Sequence, residues 1–207
     1  MGAGRPFQVI PTIRVERLAL ARGGRTLFSG VSFEAASGAY VEVRGANGAG
    51  KTSLLRALAG FLKPEAGAIA FDGVEEPALT LHLLGHRDGL KSSIRGLSHV
   101  RYWSGLLGDG HGAVEAALVR VGLARIADLP ARMLSQGQAR RLSLARLLVA
   151  PRALWLLDEP VAGLDAAGKT LVADLIAAHR GLGGTVIAAA HEPIGPEPTH
   201  VVELVRA

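Results

Sequence analysis

The chain has no cysteine among its 207 residues. That excludes a disulfide framework and any zinc or iron–sulfur site built on thiolates, and it fits a reducing compartment. It also lacks an apolar stretch that could cross a bilayer. The longest uninterrupted runs, such as Ala153-Leu154-Trp155-Leu156-Leu157, fall far below the ~18–20 residues a membrane helix needs. No apolar signal-peptide core opens the chain, so an intracellular protein is expected, one that reaches a membrane only through a partner. Aromatics are scarce at 4%, yet 49% of residues are hydrophobic, ample for one domain or for a core with one inserted subdomain. The formal charge is +5, but the basic residues are scattered and form no long run. This charge serves solubility, and no direct contact with nucleic acid is expected. The seven histidines are dispersed and none sits in a Cys-x-x-Cys-His motif, so this chain is not expected to bind haem.

What the chain does have is Gly45-Ala46-Asn47-Gly48-Ala49-Gly50-Lys51-Thr52. The spacing G-x-x-x-x-G-K-[ST] is that of a phosphate-binding loop. Polyphosphate needs backbone N–H groups that approach its oxygens closely, and glycines permit this because they carry no Cβ. Lys51 is expected on the β- and γ-phosphates, and the Thr52 hydroxyl on Mg²⁺. Residues 39–44 read as the strand entering the loop. Ser53 and the residues after it read as the helix leaving it, with the positive end of its dipole toward the phosphates.

The alternation over Ile13 to Leu20 predicts a strand, as do Thr26 to Phe33 and the short Ala68 to Phe71. Further strands are expected at 81–85, 153–157, 185–190 and 201–204, and helices over 136–149 and 169–179. Between them, residues 87–133 change character. Gly89, Gly96, Gly105, Gly108, Gly110 and Gly112 are expected to separate short helical segments. In helix 136–149, Arg140 and Arg141 are expected to face solvent or a partner. The fold class that follows is α/β: a P-loop core of mainly parallel sheet, with an antiparallel β portion and an inserted α-helical subdomain. The core is placed at about 12–86 and 134–207, and the insertion at about 87–133. Residues 1–11, with Gly2, Gly4, Pro6 and Pro11, are expected to be a loose lead-in.

Asp158 and Glu159 follow four apolar residues, at the C-terminal end of a buried strand, where open α/β sheets bind ligands. Asp158 suits Mg²⁺ held through water, and Glu159 suits polarisation of an attacking water. Leu134-Ser135-Gln136-Gly137-Gln138 opens a helix. Ser135 can be its N-cap. Alternatively Ser135, the Gly137 backbone and the helix end can form a second phosphate-binding end. Two such ends with one lysine-bearing loop suggest pairing with a second chain.

The phosphate loop, the Leu-Ser-Gln-Gly-Gln stretch, Leu156-Leu157-Asp158-Glu159-Pro160, Gly163-Leu164-Asp165 and the lone His191 occur in one order. In that order and over nearly its whole length the chain resembles the ATP-binding cassette family. The resemblance implies ATP and Mg²⁺ as ligands and a head-to-tail dimer with nucleotide between the loop of one chain and Ser135, Gly137 and Gln138 of the other. It also implies Asp165 at the dimer contact, His191 on the γ-phosphate, and an integral membrane subunit as partner at the cytoplasmic face of the cell membrane. Within the family, Leu84-Gly85-His86-Arg87-Asp88-Gly89-Leu90-Lys91 with Tyr102-Trp103 is similar to the haem-exporter subunits of cytochrome c maturation. There His86 replaces a glutamine that contacts Mg²⁺ and water. Two features depart from those patterns: Arg22 stands where many cassettes stack an aromatic on adenine, and residues 95–100 lack a Thr…Glu-Asn pattern. The expected function is therefore ATP hydrolysis for a membrane transporter of the haem-exporter type. Its rivals are another transporter of the family, a soluble cassette protein acting on nucleic acid or ribosomes, and a nucleotide-gated binding module with little turnover.

Overall fold

The computed structural model describes Phe7, residues 9–107 and residues 113–206. Gly2, Gly4 and Pro6 of the expected lead-in lie outside the described residues, as do the expected separators Gly108, Gly110 and Gly112. The chain divides into two compact units. The first contains the chain up to Leu83, Arg152–Pro160 and the residues from Ala173 on; the second contains Leu84–Pro151 and Val161–Val172.

The first unit carries two sheets. Strands β1 (Thr12–Arg22), β2 (Arg25–Ala35) and β4 (Ala66–Asp72) form an antiparallel sheet in the order β2-β1-β4. Along β1, Ile13, Val15 and Leu18 are buried while Arg14 and Glu16 are exposed, the alternation of a sheet wet on one side. The second sheet has the order β5-β6-β7-β3-β8, with β3 (Tyr40–Arg44), β5 (Leu81–Leu84), β6 (Leu154–Asp158), β7 (Thr185–Ala189) and β8 (His200–Glu203). The β6–β7, β7–β3 and β3–β8 pairs are parallel. Every residue of β6 and β7 is buried, as expected for parallel strands covered on both faces. Helix α1 (Lys51–Leu58) packs its Leu54, Leu55 and Leu58 into the core formed with Val41, Val43, Leu156 and Ile187.

Glu42 is a carboxylate within this apolar strand, 1% exposed. Its two oxygens accept bonds from Arg44 Nε at 2.6 Å and Tyr40 Oη at 3.1 Å, which offsets the cost of burying a charge. Burial, together with the neighbouring Glu42, holds the Tyr40 phenol well above its usual range. His179 is also buried, stacked on Trp155 with ring centroids 3.8 Å apart and edge-on to Phe7. Burial lowers its pKa to about 4, although bonds to the Ala153 and Thr185 backbone partly oppose the shift.

The second unit is helical: α2 (Gly96–Leu107), α3 (Val114–Arg120) and α4 (Gln136–Val149), with the start of α5 (Ala166–Gly181). Two expectations are corrected here. Gly105 does not separate two segments but lies inside α2, whereas Gly96 stands at that helix's first residue. A helical glycine costs only ~1 kcal/mol, and the buried Val100 and Trp103 hold the helix in place. Arg140 does not face solvent. It is 2% exposed, because positions 140, 144 and 147 form the i, i+4, i+7 stripe that α4 turns inward.

Candidate active site

The phosphate loop leaves β3 at Gly45 and enters α1 at Lys51. Ala46, Asn47 and Gly48 are exposed, whereas Ala49 and Gly50 are buried. Gly50 is the N-cap residue of α1 at φ 103°, and a β-carbon there would meet the Phe28 ring at 2.8 Å. Both the dihedral and the space therefore require glycine. No side chain caps α1 and its first turn has no acidic residue, so its leading N–H groups are left for an anion.

Lys51 folds back on the loop. Its Nζ donates to Gly45 O at 2.8 Å and Ala46 O at 3.3 Å, and the residue is 7% exposed. The ammonium also lies 3.5 and 3.4 Å from the two ring nitrogens of His191, so it faces the ring rather than one lone pair. His191 Nε2 is in turn 3.1 Å from Glu159 Oε1. Glu159 adopts φ 51°, an uncommon region for a non-glycine residue. Its N–H donates to Ala189 O of β7 at 2.9 Å, which turns the chain sharply after Asp158. Lys51, Glu159 and His191, far apart in sequence, thus form one contiguous group. Beside it, Thr52 Oγ1 donates to the Asp158 carboxylate, 2.9 and 3.1 Å from its two oxygens. A hydroxyl and a buried carboxylate, both hard oxygen donors, fit Mg²⁺. Ser53 follows, buried in the first turn of α1. Arg22 is exposed at the end of β1, opposite Arg25. It lies two residues beyond Leu20, the partner of Phe28.

The remaining expected residues belong to the second unit. Ser135 is the N-cap of α4 in a reciprocal capping box: its Oγ accepts from Gln138 N at 3.2 Å, and its N–H donates to Gln138 Oε1 at 2.9 Å. The Ser135 hydroxyl keeps its proton free to donate to a phosphate oxygen. A β-carbon on Gly137 would stand 3.1 Å from Gly163 O, so the Gly163-Leu164-Asp165 turn packs directly against the start of α4. Asp165 is exposed and accepts from Gly168 N at 2.8 Å, capping α5. His86 is exposed. Its segment is tied to α4 by Arg140, whose Nη1 donates to Gly85 O at 2.9 Å and Asp88 Oδ1 at 3.1 Å. Sequence reasoning missed this contact, although the i, i+4, i+7 stripe through Arg140 marks its position as inward.

The ABC transporter family profile matches residues 28–162. The chain belongs to the ABC transporter family. Its activity is ATP hydrolysis coupled to transport, and ABC ATPase subunits work as dimers with membrane partner subunits. Among the described residues no helix is long and apolar enough to cross a membrane. One relative from Rhodopseudomonas palustris (strain HaA2), "Cytochrome c biogenesis ATP-binding export protein CcmA", is 49% identical and covers 86% of this chain and 90% of its own. The protein of that name from Paramagnetospirillum magneticum is 45% identical over 88% of this chain and 89% of its own. A putative ABC transporter ATP-binding protein from Pyrococcus furiosus has the same fold, with a TM-score of 0.82 at 24% identity, covering 93% of this chain and 97% of that one. A bacterial Atm1-family ABC exporter with ATP bound has a TM-score of 0.76, also at 24% identity, over 92% of this chain and 36% of its own.

Proposed function

We propose that this ABC ATPase drives the haem-exporter complex that serves cytochrome c maturation. It would sit at the cytoplasmic face of the cell membrane beneath an integral membrane subunit. The observation that carries this reading is the near-full-length similarity, at 45–50% identity, to relatives named for cytochrome c biogenesis and export.

The geometry supports the following division of labour. The uncapped start of α1 and the loop amides bind the phosphates of ATP. Lys51 exchanges the carbonyls of Gly45 and Ala46 for β- and γ-phosphate oxygens, which repay it with full charge pairing. Thr52 and Asp158 hold Mg²⁺, which when bound neutralises the charge shared between β- and γ-phosphate. Glu159 orients water for in-line attack at the γ-phosphorus. The bond to the β–γ bridging oxygen breaks, and ADP and inorganic phosphate leave. His191, already bridging Glu159 and Lys51, donates to the γ-phosphate. Ser135, Gly137 and Gln138 of a second chain close over the same nucleotide head to tail, with Asp165 at the contact.

The test is genetic and biochemical together. Deleting the gene should abolish covalently haem-stained c-type cytochromes. The wild-type gene should restore them, and the Glu159→Gln gene should not. Intact c-type cytochromes in the deletion strain would end the haem-exporter reading and leave the family ATPase.

A further inference from the structure

Segment 85–94 lies in the second unit and is held in two halves. Its later half is fixed by backbone bonds, Arg132 N to Ser92 O and Ala131 N to Ile94 O, both 2.9 Å, and by the His99 ring 3.2 Å from Lys91 O. Its earlier half, Gly85 to Asp88, is held by Arg140 of α4. Arg140 Nη1 reaches Gly85 O and Asp88 Oδ1 at once, using both protons of that nitrogen. Ser143 Oγ lies 3.4 Å from the same Oδ1, but its single proton is better placed for Arg140 O at 2.7 Å. Arg140 stands five residues after Ser135 on the same helix, ~7.5 Å along its axis. His86 and Arg87, enclosed by the two tied points, are exposed.

We propose that Arg140 is a positioning residue that fixes the Gly85–Asp88 segment to α4, so that His86 and the Ser135 end of the helix move as one body. The inference rests on the transport-ATPase reading for its meaning, because that reading gives the Ser135 end a nucleotide to meet. The physical ground is local. Arg140 is 2% exposed, and separating the segment from the helix would break both bonds of a buried guanidinium, a costly step. A lysine has the charge but not the planar fork. A glutamine has no charge to offer Asp88. A pull on the 85–88 segment is therefore passed to α4 through Arg140.

Hydrogen exchange and steady-state kinetics on the full chain test this. In Arg140→Gln, amides of 85–88 should exchange about tenfold faster, while those of 91–94 and of the phosphate loop at 45–52 keep their rates. ATP affinity of the single chain should be unchanged, while kcat falls about fivefold. Asp88→Asn, which leaves the bond to Gly85 O in place, should do the same more weakly, and the double variant should lose no more than Arg140→Gln alone, because that change already removes the charge pair. Arg140→Lys should recover part of kcat. Unchanged exchange at 85–88 in Arg140→Gln, or kinetic losses that multiply in the double variant, would overturn the proposal. So would faster exchange spread over all of α4 with a parallel loss of thermal stability, which marks a structural role only. If the wild-type chain hydrolysed no ATP, the proposed function would fall, and the exchange rates alone would still decide whether Arg140 holds the segment.

Discussion

Two helix N-termini in this chain are proposed to meet phosphate, and they are finished differently. The start of α1 has no side-chain cap; its loop is held by glycine dihedrals and by a lysine bonded to the loop's own carbonyls. The start of α4 is capped twice over by Ser135 and Gln138. The first end is electrostatically incomplete until an anion arrives, since its leading amides and its ammonium have better partners in phosphate than in the protein. The second is complete in itself and exposed, with only a hydroxyl proton and an oriented dipole to offer. On the function proposed above, one end captures nucleotide and the other is brought to nucleotide already captured. The same contrast holds for their neighbours: His191 touches both Lys51 and Glu159, whereas Asp165 caps its own helix.

The comparison can be broken most severely at Lys51. Lys51→Ala should lower ATP turnover by at least about 10³-fold, since a charge aimed at the transferring phosphoryl group is lost. Colorimetric phosphate release measures it, and turnover near wild type would mean that α1 is not the capturing end. Because Lys51 is buried against the loop, its thermal melt should also be recorded. Glu159→Gln should lower kcat about 10²–10³-fold yet retain ATP. Gel filtration with Mg-ATP should then find two chains together, and a monomeric, fast-turning variant would contradict both the water-orienting role and the pairing of unlike ends. Ser135 separates capping from phosphate binding. Ser135→Asp keeps a good cap, so its melting temperature should stay close to wild type. Its carboxylate repels phosphate, so turnover should fall about 10²-fold. Equal losses in stability and turnover would make α4's start purely structural. The smallest effect concerns the packing on Trp155 of β6. His179 has a folded pKa of about 4, below the ordinary 6.5, so the unfolded chain binds the proton more readily. Stability from this residue is complete above about pH 6.5 and is lost as pH falls toward about 4. The loss by pH 5.5 is about 1 kcal/mol. Urea melts of wild type and His179→Phe at pH 7 and 5.5 should differ by that amount in their pH dependence.

How much of this was legible depends on whether a residue's role is local. Helix α4 begins after Ser135 and ends before Pro151, and both boundaries are written in capping and proline chemistry that acts within a few residues. The fully buried β6 and β7 announce themselves as apolar runs without alternation. The meeting of Lys51 with His191 was carried only by the family resemblance, since 140 residues of chain lie between them. The glycine at 105 misleads, because packing of Val100 and Trp103 overrides a local helix penalty. Arg140 misled for the opposite reason. Its charge argued for water, while its place on the apolar stripe, and an acidic partner 52 residues earlier, argued for burial. The Glu159 dihedral left no mark on the sequence at all. It goes with a bond to the Ala189 carbonyl, contributed by a strand distant in sequence.

The position of β3 has a consequence for how the chain is made. Both of its neighbours, β7 and β8, come from residues 185–203, though β3 itself is finished by residue 44. At about 5–20 residues per second, the ribosome leaves that strand and the loop behind it without lateral partners for roughly 7–30 seconds. A nascent chain stalled anywhere between Thr52 and β7 holds the whole phosphate-loop motif and lacks the strands that flank β3. The pairing that flanks the loop thus becomes possible only once residues 185–203 are made, and in the interval the apolar β3 depends on α1 and the antiparallel sheet for cover.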